Sequence, residues 1–162
     1  MAKSANQKLK LLYITKLLMT ESDENHPVGM NRILDELAAN GISAERKSIY
    51  DDMESLRVFG LDVNHIGGKN GGYYIGERDF ELPELKLLVD SVQSSKFITE
   101  DKTYKLIKKI ESLASVYDGQ LLQRQVYVKN RVKSMNESIY YAVDAVSDAI
   151  AQNKKIRYRY FE

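Results

Sequence analysis

The chain has 162 residues, of which 43% are hydrophobic and 29% charged, with a formal net charge of +1; this balance suits one or two small globular domains and excludes a disordered tail. It contains no cysteine, which removes disulfides and thiolate metal sites. No apolar run approaches the ~18 residues of a bilayer span, and Met1-Ala2-Lys3-Ser4 lacks the apolar core of a signal peptide, so the expected compartment is the cytoplasm.

The first predicted helix runs from Gln7 to Thr20. Leu9, Leu12, Tyr13, Leu17 and Met19 recur at three-and-four spacing, the pattern of a buried stripe. A polar stretch, Glu21 to His26, follows, and Pro27 stops any continuation. The segment Asn31–Asn40 predicts a second helix burying Ile33, Leu34, Leu37 and Ala38, ended by the backbone freedom of Gly41. A third helix is expected over Ser43–Phe59, with Ser43 as N-cap. There Ile49, Met53 and Leu56 share one face, leaving Arg46, Lys47, Ser48, Tyr50 and Asp51 around the exposed N-terminal half.

Two short strands, Asp62–Ile66 and Gly72–Ile75, then flank the glycine-rich tip Gly67-Gly68-Lys69-Asn70-Gly71-Gly72. Helix, turn, helix and hairpin in this order predict a winged helix-turn-helix over residues 1–78, a shape whose second helix fits a DNA major groove. Lys69 and Asn70 would be wing contacts to phosphate or minor groove. A solvated amphipathic helix and a plain surface turn account for the same local patterns when each is taken alone. The charge is modest for a DNA binder: residues 1–80 hold 10 Lys/Arg against 12 Asp/Glu, a balance of −2. Binding would therefore depend on local placement of Lys3, Lys8, Lys10, Arg46, Lys47 and Lys69 and would weaken with salt.

Beyond Arg78 the pattern becomes helical. Leu82-Pro83-Glu84 opens a helix with the stripe Leu85, Leu88, Val89 and Val92, Pro83 suiting its first turn. A second helix, Glu100–Ser115, carries Tyr104, Ile107, Ile110 and Leu113, and Tyr117-Asp118-Gly119 reads as an interruption before a turn at Leu121-Leu122. Gln123 to Met135 alternates weakly and suits an extended basic linker. Glu137–Gln152 is a further helix with Ile139, Tyr140, Val143, Val146 and Ile150 inward. Lys154 to Phe161 alternates strictly, as a strand does. A strand without a partner is an exposed edge, so this one is expected to belong to a domain continuing past Glu162, to pair across a dimer, or to stay disordered. Residues 79–135 would then form a helical connector and candidate dimerisation region, and 136–162 the start of a sensor domain. The expected fold class is mainly α with a small β-hairpin wing.

Ala44-Glu45-Arg46-Lys47-Ser48-Ile49-Tyr50-Asp51-Asp52-Met53-Glu54-Ser55-Leu56, with Gly60 and then Gly71-Gly72-Tyr73-Tyr74-Ile75, resembles the WYL-domain transcriptional regulators. The resemblance implies a DeoR-type winged helix, a helical connector and a sensor domain whose first strand alternates like Ile156-Arg157-Tyr158-Arg159-Tyr160. It also implies homodimers on double-stranded DNA, with Arg46, Lys47, Ser48 and Tyr50 facing the operator and Lys69 on the wing. Many family members carry Arg-Asp where this chain has Asp51-Asp52; Asp51 can still accept from a cytosine amino group. The family's sensor domain implies a nucleotide or nucleic-acid effector, but the tripeptide that names it would lie past Glu162.

Other classes fit less well. The Gly67–Gly72 loop leads into a strand rather than a helix N-terminus and lacks a Gly-Lys-Ser/Thr ending, so it is no phosphate-cradling loop. His26 and His65 stand far apart with no carboxylate at catalytic or ligand spacing, so neither an enzyme nor a metal or cofactor site is expected. Of the 11 tyrosines, Tyr13, Tyr104 and Tyr140 fall on apolar stripes and suggest packing; Tyr50 is the exception, since aromatics beside basic residues can stack on bases. The rival reading is a winged-helix module that binds protein instead of DNA.

Overall fold

The computed structural model describes residues 6–125, 133, 135–136 and 138–159. Among these the chain is mainly α-helical with one two-stranded antiparallel hairpin. A 3₁₀ turn, Gln7–Leu9, leads into α1 (Lys10–Glu21); α2 (Met30–Ala39) and α3 (Arg46–Phe59) form the helix-turn-helix, and β1 (Val63–Ile66) pairs with β2 (Gly72–Ile75) as the wing. The second half comprises α4 (Leu82–Ser94), α5 (Glu100–Glu111), α6 (Val116–Gln125) and α7 (Ser138–Ala151).

Local chemistry explains most helix ends. At the end of α2, Gly41 takes φ +70°, its N–H reaches the Ala38 carbonyl, and the Ile42 N–H reaches that of Leu37. At the end of α3, Gly60 takes φ +108° with the same two bonds, to Arg57 and, through Leu61, to Leu56. These are Schellman closures, which need a residue that tolerates the left-handed region. Asn153 closes α7 in the same way. Helix α4 begins at Leu82-Pro83, with the Glu81 N–H donating to Glu84 Oε2. Helix α5 begins on Thr99, whose hydroxyl accepts from the Lys102 N–H.

The first core gathers Ile14, Leu17 and Leu18 of α1, Ile33 and Leu37 of α2, Ile49, Met53 and Leu56 of α3, and Val63, Tyr73 and Ile75 of the hairpin. Val28 and Tyr73 exchange backbone hydrogen bonds, so the segment before α2 extends the hairpin by one bridge. A smaller core joins Leu85, Ala114 and Leu122, with Leu82 and Ile110 against it.

Several expectations need correction. Helix α3 starts at Arg46, not Ser43, and Glu45 occupies its N-cap; Ile42 is drawn into the core by the Schellman closure and Ala44 packs beside it, which keeps residues 42–45 out of the helix. In α1 the buried stripe is Ile14, Leu17 and Leu18, while Leu9 and Leu12 are exposed. That helix is apolar on more than one side, and contact with α2 and β2 selects the face. Leu88 and Tyr104 are also exposed, whereas Gln93 and Thr103 are buried. Tyr117-Asp118-Gly119 does not interrupt a helix but lies in α6, where Gly119 sits close against the Glu111 carbonyl of α5. On α7, Ile139, Val143, Val146 and Ile150 are exposed rather than inward. Residues 154–159 form no strand, and among the described residues no strand lies beside them to supply hydrogen-bond partners. The linker expected over Gln123–Met135, the side chain of Tyr140 and the end of the Lys154–Phe161 segment lie largely or wholly outside the described residues.

Candidate nucleic-acid interface

The inward stripe of α3 fixes where its other side chains point. With Ile49 and Met53 fully buried, Lys47, Tyr50, Asp51 and Glu54 emerge on the solvent side. Lys47 opens this face from the first turn, exposed and with no ion pair among the described residues. Arg46 is exposed too, but its guanidinium donates to Asn31 Oδ1 at 2.7 Å, tying the start of α3 to α2. Tyr50 is exposed on the same face, and burial, then the electrostatic influence of Tyr50, push the Tyr73 hydroxyl above its usual range against the attraction of Arg57.

Ser48 is placed differently from its neighbours. It is half-buried and turned toward α1, donating to the Glu45 carbonyl at 2.9 Å and accepting from Lys10 Nζ at 3.0 Å. Lys10, counted above among the cations available to DNA, spends its charge inside the domain. It lies 2.6 Å from Asp52 Oδ2, both side chains more than four-fifths buried.

Lys69 and Asn70 are exposed at the wing tip, carried by a turn in which Gly68 has φ +104° and the Gly71 N–H reaches the Gly68 carbonyl. The wing is braced against α3 by Arg57, whose Nε donates to the Val63 carbonyl at 2.7 Å and whose Nη1 meets Glu54 at 3.1 Å. Sequence inspection missed Arg57; nothing in its local pattern distinguishes it from any polar residue late in a helix.

The electrostatics of α3 follow from these pairs. Of its three acidic residues, Asp52 is paired with Lys10 and Glu54 with Arg57, leaving Asp51 and the N-cap Glu45 beside Arg46 and Lys47. The face is mixed in sign, with its cations concentrated in the first turn. A strongly acidic surface lies elsewhere, in a cleft of about 470 Å³ where β2 leads into α4, lined by Asp23, Glu77, Glu81, Glu84 and Asp118 with Arg78.

One histidine has a carboxylate partner that the sequence reading did not give it. His26 Nδ1 lies 2.7 Å from Asp23 Oδ1, and its ring stacks on Tyr117 at 3.7 Å. His65 leans on Tyr73 across the wing. Among the described residues no group of His, Asp or Glu is arranged to hold a metal ion, and no helix is long and apolar enough to cross a membrane.

The fold defines a mainly α protein with a hairpin wing packed on a helix-turn-helix. No protein-family model matches the chain, and neither the curated proteins nor the solved structures yield a match.

Proposed function

We propose that the protein binds double-stranded DNA with sequence preference and regulates transcription as a cytoplasmic homodimer of the WYL-domain type. The observation that carries this reading is the first turn of α3, where Lys47 and Arg46 are exposed while, farther along, Asp52 is buried against Lys10 and Glu54 pairs with Arg57 at the surface. Arg46, Lys47, Tyr50 and Asp51 reach base edges or phosphate; Ser48 contributes through its position against α1; Lys69 and Asn70 contact the backbone from the wing. Effector sensing, of a nucleotide or nucleic acid, is part of this reading through the family resemblance, and none of the residues described above is assigned to it. No residue is assigned a catalytic role.

Selection from a pool of random duplexes at two salt concentrations tests the proposal. Enrichment of a two-fold symmetric motif, weakening steeply with salt, supports it. Absence of enrichment at low salt favours the second reading, a protein-binding winged helix. That alternative draws on Val58 and Phe59, which end α3 at 82% and 81% exposure and offer an apolar contact unsuited to phosphate.

A further inference from the structure

Lys10, Ser48 and Asp52 form a charged cluster under the outward face of α3. Lys10 is the first residue of α1, and its side chain is only 11% exposed. Ser48 and Asp52 lie one turn apart on α3, on the flank between the buried Ile49–Met53 stripe and the exposed Lys47–Asp51 stripe. The ammonium group sits against both, 3.0 Å from Ser48 Oγ and 2.6 Å from Asp52 Oδ2. That carboxylate oxygen is buried and makes no aligned hydrogen bond, so the Lys10 charge is what compensates it. A second tie runs alongside, from Gln7 Nε2 to the Ser43 carbonyl at 2.9 Å, gripping the segment that leads into α3.

We infer that the Lys10–Asp52 pair, seated on Ser48, is a buried clasp that sets the rotation of α3 about its own axis, making Lys10 a positioning residue for base recognition. The inference rests on the DNA-binding reading above.

Apolar contact is non-directional. A stripe of Ile49, Met53 and Leu56 packs almost as well after a small rotation of the helix, and such a rotation would swing Lys47, Tyr50 and Asp51 off their base edges. An ion pair behaves differently. Rotation or slippage of α3 leaves the Asp52 carboxylate buried without its cation, which is strongly unfavourable. The clasp therefore penalises the misrotated states that the core tolerates. A buried pair of this kind adds little net stability over well-packed apolar residues, so its effect should appear in specificity rather than in the melting temperature.

The test compares the full chain with its Lys10→Met/Asp52→Leu variant, which exchanges the pair for apolar side chains. Both are measured on the selected duplex and a scrambled one across a salt series, with amide hydrogen exchange of residues 46–59 followed in parallel. The clasp predicts a melting midpoint within a few degrees of the parent, a specific-to-scrambled affinity ratio lowered about tenfold or more, and faster exchange in α3. It also predicts an unchanged salt slope, because Lys10 touches no phosphate. A ratio within twofold of the parent overturns the inference, as does a slope shallower by the roughly 0.9 expected for one lost phosphate contact. Should the parent select no sequence, the DNA-binding reading fails on its own and the exchange data decide the clasp: unchanged α3 protection overturns it. If the double variant does not fold, Ser48→Ala, which removes one seat of the ammonium without removing a charge, carries the same readouts.

Discussion

Ser115, at the start of α6, donates its hydroxyl to Asp23 Oδ2 at 2.7 Å, joining residues 92 positions apart. The same hydroxyl accepts the Asp118 N–H at 3.1 Å, so one buried serine caps α6 and anchors it to the loop after α1. Arg78 reinforces the joint by donating to the Met19 and Ser22 carbonyls, each at 2.7 Å, which are orphan acceptors at the end of α1. The Ser22 hydroxyl in turn donates to the Leu18 carbonyl and accepts the Ile75 N–H. The winged helix and the helices that follow it are thus connected by directed polar contacts, with the His26–Tyr117 stack on the outer side.

Removal of that serine hydroxyl is costly because both of its partners are left short. Ser115→Ala is expected to destabilise the chain by about 1–3 kcal/mol, lowering the melting midpoint by about 2–4 °C per kcal/mol. A thermal melt followed by circular dichroism checks this, and an unchanged midpoint would show that water replaces the hydroxyl without loss.

The two carboxyls of the joint titrate in opposite directions. Burial alone would push Asp23 up, but hydrogen bonds from Ser115 and His26, with the charge of His26, outweigh it and hold Asp23 below the usual carboxylate range. Its contribution to stability is therefore present above the ordinary value of about 4 and disappears as pH falls through the lower folded value. Asp118 is pushed up, first by burial and then by repulsion from Asp23, against attraction from Arg78 and His26. Its ionised form costs stability once pH rises through that raised value, and protonation relieves the cost. Asp118→Asn should thus leave the chain as stable as the parent or slightly more so at neutral pH, by less than about 1 kcal/mol. Asp23→Asn should lose stability at neutral pH and converge on the parent in acid. Urea denaturation between pH 3 and 7 separates the two behaviours.

Lys47 and Ile49 are two positions apart on α3 but face opposite surroundings. Lys47→Ala should keep the parent melting curve within about 0.5 kcal/mol while weakening duplex binding; full affinity with a normal melt would remove Lys47 from the interface. Ile49→Asp places an unpaired charge in the core and should abolish cooperative folding. A cooperative melt near the parent midpoint would contradict the burial of that face.

Gly72 begins β2 where the backbone of residues 28–29 passes directly over it. An added Cβ would strike the Val28 carbonyl, well inside van der Waals contact. Because backbone atoms cannot move aside as a flexible side chain can, Gly72→Ala should cost about 1–3 kcal/mol. The loss should fall on the paired Val28 and Tyr73 amides, whose hydrogen exchange would accelerate more than that of α5.

Features governed by neighbours in sequence were legible from the residues alone. The burial of Ile49, Met53 and Leu56, the helix ends at Gly41 and Gly60, the alternating hairpin and the start of α4 at Pro83 each follow from periodicity or from one residue's backbone preference. The outward placement of Arg46, Lys47, Tyr50 and Asp51 followed from the same helical phase. Tertiary structure decided what depends on partners distant in sequence. It chose Ile14 and Leu18 over Leu9 and Leu12 as the buried face of α1, because that helix offers more than one apolar side. It carried α6 through Tyr117-Asp118-Gly119, where the Ser115 hydroxyl accepts the Asp118 N–H and ties the start of the helix to Asp23. It also turned Lys10 and Ser48 inward onto each other and onto Asp52. A lysine's composition and spacing are the same whether its charge meets solvent, phosphate or a buried carboxylate; only the packing of α1 on α3 selects among them.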